Sequence, residues 1–85
     1  MITMTRTVTD EEAARLILKY MREADTDKGQ IMMAGALNYK FLKEGQTAAD
    51  YNAGMKFATD IGWISDENTM VRLTEAGYRV AHSLK

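Results

Sequence analysis

Eighty-five residues, 46% of them hydrophobic, are enough for one core and too few for two. Eleven Lys and Arg against twelve Asp and Glu leave a net charge of −1, which argues against a strongly basic nucleic-acid binder. There is no cysteine, so disulfides and thiolate chemistry are excluded, and one histidine, His82, is too few for a histidine-based metal centre or proton relay. The longest stretch without charge, Gly29 to Tyr39, is far short of a membrane span, and Met1 to Arg6 hold no apolar run of signal-peptide length. The expectation is a soluble cytoplasmic domain with no cofactor and no metal.

Residues 2–9 alternate threonine with Ile2, Met4, Arg6 and Val8. Period two with β-favouring residues reads either as a strand or as a frayed terminus, so residues 1–8 are set apart as an N-terminal arm. As a strand, the arm needs an edge to pair with, such as one on a second subunit. The domain proper is expected over 9–85. Thr9-Asp10-Glu11-Glu12 is a capping box that opens a helix from Asp10 to about Ala24. Ala13, Leu16, Ile17, Tyr20, Met21 and Ala24 form its inward face, broadened by Ala14 and Leu18. Arg15, Lys19 and Arg22 form a basic stripe, most simply a solvated face.

Asp25-Thr26-Asp27-Lys28-Gly29 resembles the start of a calcium-binding loop, but Gln30 and Ala36 stand where that loop needs glycine and glutamate. An ordinary turn is expected, with Gly29 in an unusual backbone conformation. Gln30 to Met33 reads as a brief strand or a helix lead-in. A helix from about Ala34 to Lys43 follows, with Ala34, Leu37 and Phe41 inward and Gly45 as its stop. Thr47 and Asp50 cap a third helix running to Asp60 or Ile61. Its inward set is Tyr51, Met55, Ala58 and Ile61, and its outward set includes Asp50, Asn52, Ala53, Lys56, Thr59 and Asp60. Gly54 permits close approach of another helix. Trp63-Ile64-Ser65 and Met70 to Leu73 form a hairpin around a polar turn. Thr74 then caps a last helix that packs Tyr78, Ala81 and Leu84 inward. Met32, Met33, Met55 and Met70 suit core gap-filling.

Two junctions carry a resemblance. Ile61-Gly62-Trp63-Ile64 resembles the "glycine, large apolar, isoleucine" exit from the third helix of winged helix-turn-helix domains. Arg72-Leu73-Thr74-Glu75-Ala76-Gly77-Tyr78 resembles their step from the last wing strand into the closing helix. With the element order, this covers residues 10–85. It implies a mainly α fold with a small β-hairpin (α+β), a winged helix-turn-helix, and double-stranded DNA as a partner in transcription regulation. The third helix, 47–61, then enters the major groove. The DNA-contact candidates are Thr47, Ala49, Asp50, Asn52, Ala53 and Lys56, with Arg72 on the wing. Asn52 suits adenine, Lys56 a phosphate or guanine, and Thr47 a phosphate at the helix start.

Charge points elsewhere. Affinity for DNA comes largely from neutralised phosphates, yet the third helix sets one lysine against Asp50 and Asp60, and the wing tip carries Asp66 and Glu67. Support from Lys40, Lys43 and Arg6, or a dimer, is then needed. The alternative is a protein-interaction or dimerisation module without DNA binding, for which an exposed Tyr39 or Phe57 is the expected sign. A homodimer through the first helix, the last helix or the arm is expected on either reading. No nucleophile–base set can be assembled around His82, so catalysis is not expected.

Overall fold

The computed structural model describes residues 6–83. Four helices and three short strands follow in the order α1 (Asp10–Glu23), β1 (Ile31–Met33), α2 (Ala34–Lys43), α3 (Ala48–Asp60), β2 (Ile64–Glu67), β3 (Met70–Leu73) and α4 (Glu75–Ser83). The fold is mainly α with one antiparallel sheet of strand order β1-β3-β2. Ile31 pairs with Arg72 and Met33 with Met70, while Ile64 pairs with Leu73 and Glu67 with Met70. Gln30 to Met33 thus resolves into a strand, laid against the far side of the hairpin. The hairpin strands reach further than the sequence suggests. Only Asn68 and Thr69 remain as the turn, with Asn68 at φ +66°, a conformation that asparagine tolerates.

Helix α1 is the hub. It packs against α3 most extensively, then α4 and α2. Ala13, Ala14, Ile17, Leu18, Tyr20 and Met21 are its buried residues, close to the predicted face, although Ala24 is exposed. Its approach to α3 depends on Gly54, where a Cβ would lie 2.8 Å from the Ala13 carbonyl carbon. Phe41 of α2 fills the centre, edge-on to Tyr20 (5.4 Å between centroids) and Tyr51 (5.6 Å). Trp63 is buried at the exit from α3, with the Arg15 guanidinium 5.3 Å above its ring.

The closing helix is fixed by the junction that the sequence marks. The Thr74 hydroxyl accepts from the Gly77 amide (3.0 Å) and shares its one proton between the carbonyls of Gly62 and Trp63. Gly77 lies so close that any Cβ would collide with the Trp63 carbonyl oxygen. That contact explains the glycine without reference to conformational freedom.

Ile61 and Met33 also depart from their predicted faces. Ile61 is 51% exposed because α3 ends one residue earlier and the chain turns away at Gly62. Met33 is 60% exposed because it lies on the outer side of β1, opposite the side that carries Met32 towards the core. Residues 6–8 form no strand. The rest of the arm's threonine alternation, and Leu84, lie outside the described residues.

Candidate nucleic-acid interface

Helix α3 begins at a second capping box. The Asp50 amide donates to the Thr47 hydroxyl (3.1 Å), and the Thr47 amide donates to the Asp50 carboxylate (3.0 Å). A carboxylate one methylene shorter than glutamate stays close to the helix end, and here it is fully buried. The sequence pattern predicts Asp50 on the outer face. The chain instead folds residues 6–8 over it. Oδ1 accepts from Arg6 Nε (2.8 Å) and the Thr7 amide (3.0 Å), and Oδ2 accepts from the Thr7 hydroxyl (2.6 Å). Arg6 also reaches Asp10 at the head of α1 (2.9 Å).

Burial pushes the Asp50 carboxyl upward. The hydrogen bonds from the Thr7 hydroxyl, the Thr47 amide, Arg6 and the Thr7 amide outweigh it and hold the group well below the usual carboxylate range. Asp50 is therefore an ionised, saturated structural anion and is withdrawn from the candidate contact set. The reason is the arm, whose return to α3 no helical periodicity encodes.

The remaining candidates divide. Asn52 and Lys56 are exposed one turn apart, and Ala49 and Ala53 beside them are half-buried. Thr47 is half-buried and engaged in the cap. Lys56 holds Asp60 at 2.9 Å, a hydrogen bond that raises the lysine's pKa. Among the described residues, the hydrogen bonds and ion pair of Arg72 run to Glu67 and Gly29 rather than to α3. Its guanidinium grips Glu67 through two nitrogens (2.7 and 3.1 Å) and donates to the Gly29 carbonyl (2.6 Å). It thereby clamps the hairpin to the turn before β1. The same pair raises Arg72 and lowers Glu67.

Of the supporting cations, Lys40 lies 3.9 Å from Glu23 and 3.8 Å from Glu44, and Lys43 has no ion pair among the described residues. Tyr39 is 66% exposed, whereas Phe57 is half-buried against Trp63 (6.0 Å). His82 lies against Tyr78 (4.2 Å between centroids). Among the described residues, no three His, Cys, Asp or Glu side chains are grouped to hold a metal ion, and no helix is long and apolar enough to cross a membrane. No family model, curated protein or solved structure matches the chain.

Proposed function

We propose that this chain is a winged-helix domain that associates with double-stranded DNA through α3, as a small transcription regulator would. The element order and the β1-β3-β2 sheet are what such a domain needs, with α2, the Gly45 turn and α3 as the helix-turn-helix and the hairpin as the wing. The observation that carries the functional reading is the outer face of α3. The acid of its first turn is buried and balanced, which leaves Asn52 and Lys56 exposed between small alanines. Small neighbours let a helix lie deep in the major groove, where an amide recognises adenine and an amine meets guanine or phosphate. The Lys56–Asp60 pair is exposed, so it is weak and yields to a phosphate.

The cations also favour a second reading, a protein-interaction module. Arg6, Arg15, Lys40, Lys56, Arg72 and Arg79 are each engaged by an acid of the same chain. A phosphate reaches these six cations only in competition with a carboxylate, so each such contact adds less to DNA affinity than a free cation would.

Fluorescence anisotropy with mixed-sequence duplex DNA, at low salt and near physiological salt, separates the two readings. Binding that weakens with salt, and weakens about tenfold further in Asn52→Ala/Lys56→Ala, supports α3 as the reader. Absence of binding at low salt, or binding that the double variant leaves unchanged, overturns it in favour of the interaction module.

A further inference from the structure

The first turn of α3 has little apolar anchorage. Ala48 is exposed, Ala49 and Tyr51 are half-buried, and the one buried side chain of the turn is the Asp50 carboxylate. Tyr51 ties the turn to α2, with its ring edge-on to Phe41 and its hydroxyl donating to the Ala34 carbonyl (3.3 Å). Asp50 ties it to the arm, which supplies Arg6 Nε, the Thr7 amide and hydroxyl, and the Val8 amide (3.5 Å). A segment with few buried apolar contacts opens at low cost unless such bonds hold it.

The arm is itself anchored. Val8 packs against the core, and the Arg6 guanidinium bridges Asp10 at the head of α1 and Asp50 at the head of α3. The tie therefore joins the first turn of α3 to the hub helix. It also lies on the back of α3. Asp50 and Asn52 are two residues apart, about 200° around the helix, so the arm covers one side and leaves Asn52 exposed on the other. Asn52 follows directly on the first turn, and in an α-helix the amide at 52 bonds back to the carbonyl at 48. Its placement depends on that turn staying closed.

We infer that Arg6 and Thr7 are positioning residues for the outer face of α3, holding Asn52 and Lys56 in place through Asp50 without meeting the nucleic acid themselves. Groups that read a partner must be held to within about 0.5 Å, and here the support comes from the arm. That the supported face reads DNA rests on the function proposed above, whereas the tie itself does not.

Three variants of the full chain test this. Thr7→Val removes the shortest bond to Asp50, Arg6→Gln removes the bridge to α1, and Arg79→Gln breaks an exposed ion pair on α4 as a control. Amide hydrogen exchange of the free chain, read by NMR, should be about tenfold faster at Tyr51 and Asn52 in both arm variants, with a smaller change at Ile17 and Leu18 and no change in Arg79→Gln. Exchange that is unaltered at Tyr51 and Asn52, or that accelerates equally at Ile17 and Leu18, overturns the inference. With mixed-sequence duplex DNA at low salt, Thr7→Val should weaken binding about threefold, and should have no effect in the Asn52→Ala/Lys56→Ala background. The salt dependence should be the same for Arg6→Gln as for the unaltered chain. A weakening that persists in that background, or a salt slope reduced by about one in Arg6→Gln, makes the arm a phosphate contact and overturns its positioning role. If the unaltered chain binds no duplex, the DNA reading falls and the exchange result alone decides whether the arm holds α3.

Discussion

Two helices of this protein open with the same device and use it differently. At the head of α1, Thr9 and Glu12 exchange hydrogen bonds in a capping box open to solvent (2.8 and 3.2 Å). At the head of α3, Thr47 and Asp50 do the same, but the carboxylate is buried and also holds Arg6 and Thr7 from the start of the chain. Glu12 satisfies its own helix. Asp50 satisfies its own helix and fixes a segment more than forty residues away in sequence. The chemistry at N3 is nearly equal, so the difference lies in what covers it. Once covered, the spare acceptor positions of the carboxylate become a long-range tie.

Removing each acid breaks the comparison most directly. Asp50→Ala keeps the Thr47 cap but loses the reciprocal half of the capping box, and it leaves the Thr7 hydroxyl, the amides of Thr7, Val8 and Thr47, and Arg6 without their acceptor. The expected cost is about 3 kcal/mol, read as a lower urea midpoint. Glu12→Ala is expected to move that midpoint far less, because water replaces the lost carboxylate. Deleting residues 1–8 should resemble Asp50→Ala rather than Glu12→Ala, since it strips the donors from a buried anion. Equal midpoints for Asp50→Ala and Glu12→Ala would show that the arm contributes nothing to the tie.

The pH dependence sharpens the same contrast. The folded-state pKa of Asp50 is depressed, so its contribution is complete above the unfolded carboxylate value and is lost as pH falls towards the folded value. Thermal stability should therefore drop steeply between about pH 4 and about pH 2. Asp50→Asn, less stable at neutral pH, has no proton to take up at this position, so its stability should fall more gently over that range. The remaining slope belongs to Glu12, lowered by its hydrogen bonds from Thr9, and to Glu67, lowered by Arg72. A variant whose acid slope equals that of the unaltered chain would remove Asp50 from the linkage.

The contrast also marks what the sequence could and could not disclose. Both capping boxes, the glycine stops at Gly45 and Gly62 and the Thr74 cap are local signals, each spanning a few residues, and each is present in the fold. The tight approach at Gly54 was legible because a glycine inside an amphipathic helix needs a packing reason. Asp50 was not legible as a buried anion. Periodicity assigns faces relative to a core, and the cover here is the arm, whose threonine alternation suggests a strand rather than a cap. The available clue was an arginine and a hydroxyl at 6 and 7 lying outside any helix, a set of donors in need of an acceptor. Likewise Met33 and Ile61 are apolar residues at element ends, where the chain's change of direction decides exposure and composition does not. The outer face of α3 was legible at Asn52 and Lys56, whose spacing alone sets them one turn apart.

The smallest expected effect concerns how helices end, where the chain again uses one device in two ways. α1, α2 and α3 each close with paired backbone bonds from the two residues after the cap, such as Thr26 to Met21 and Asp25 to Arg22, or Trp63 to Ala58 and Gly62 to Thr59. α2 and α3 place glycine at the left-handed position, Gly45 at φ +94° and Gly62 at φ +84°, while α1 places Asp25 there at φ +58°. An aspartate in that position carries two costs, the steric strain of a Cβ and a negative charge at the negative end of the helix dipole. Asp25→Gly removes both and gives back part of the gain as unfolded-state entropy, for a net stabilisation of about 0.5 kcal/mol. Asp25→Asn removes only the charge, so it should recover a smaller gain that shrinks further in high salt. If Asp25→Gly instead lowers the urea midpoint, the carboxylate is making a contribution at the end of α1 that outweighs both strain and dipole.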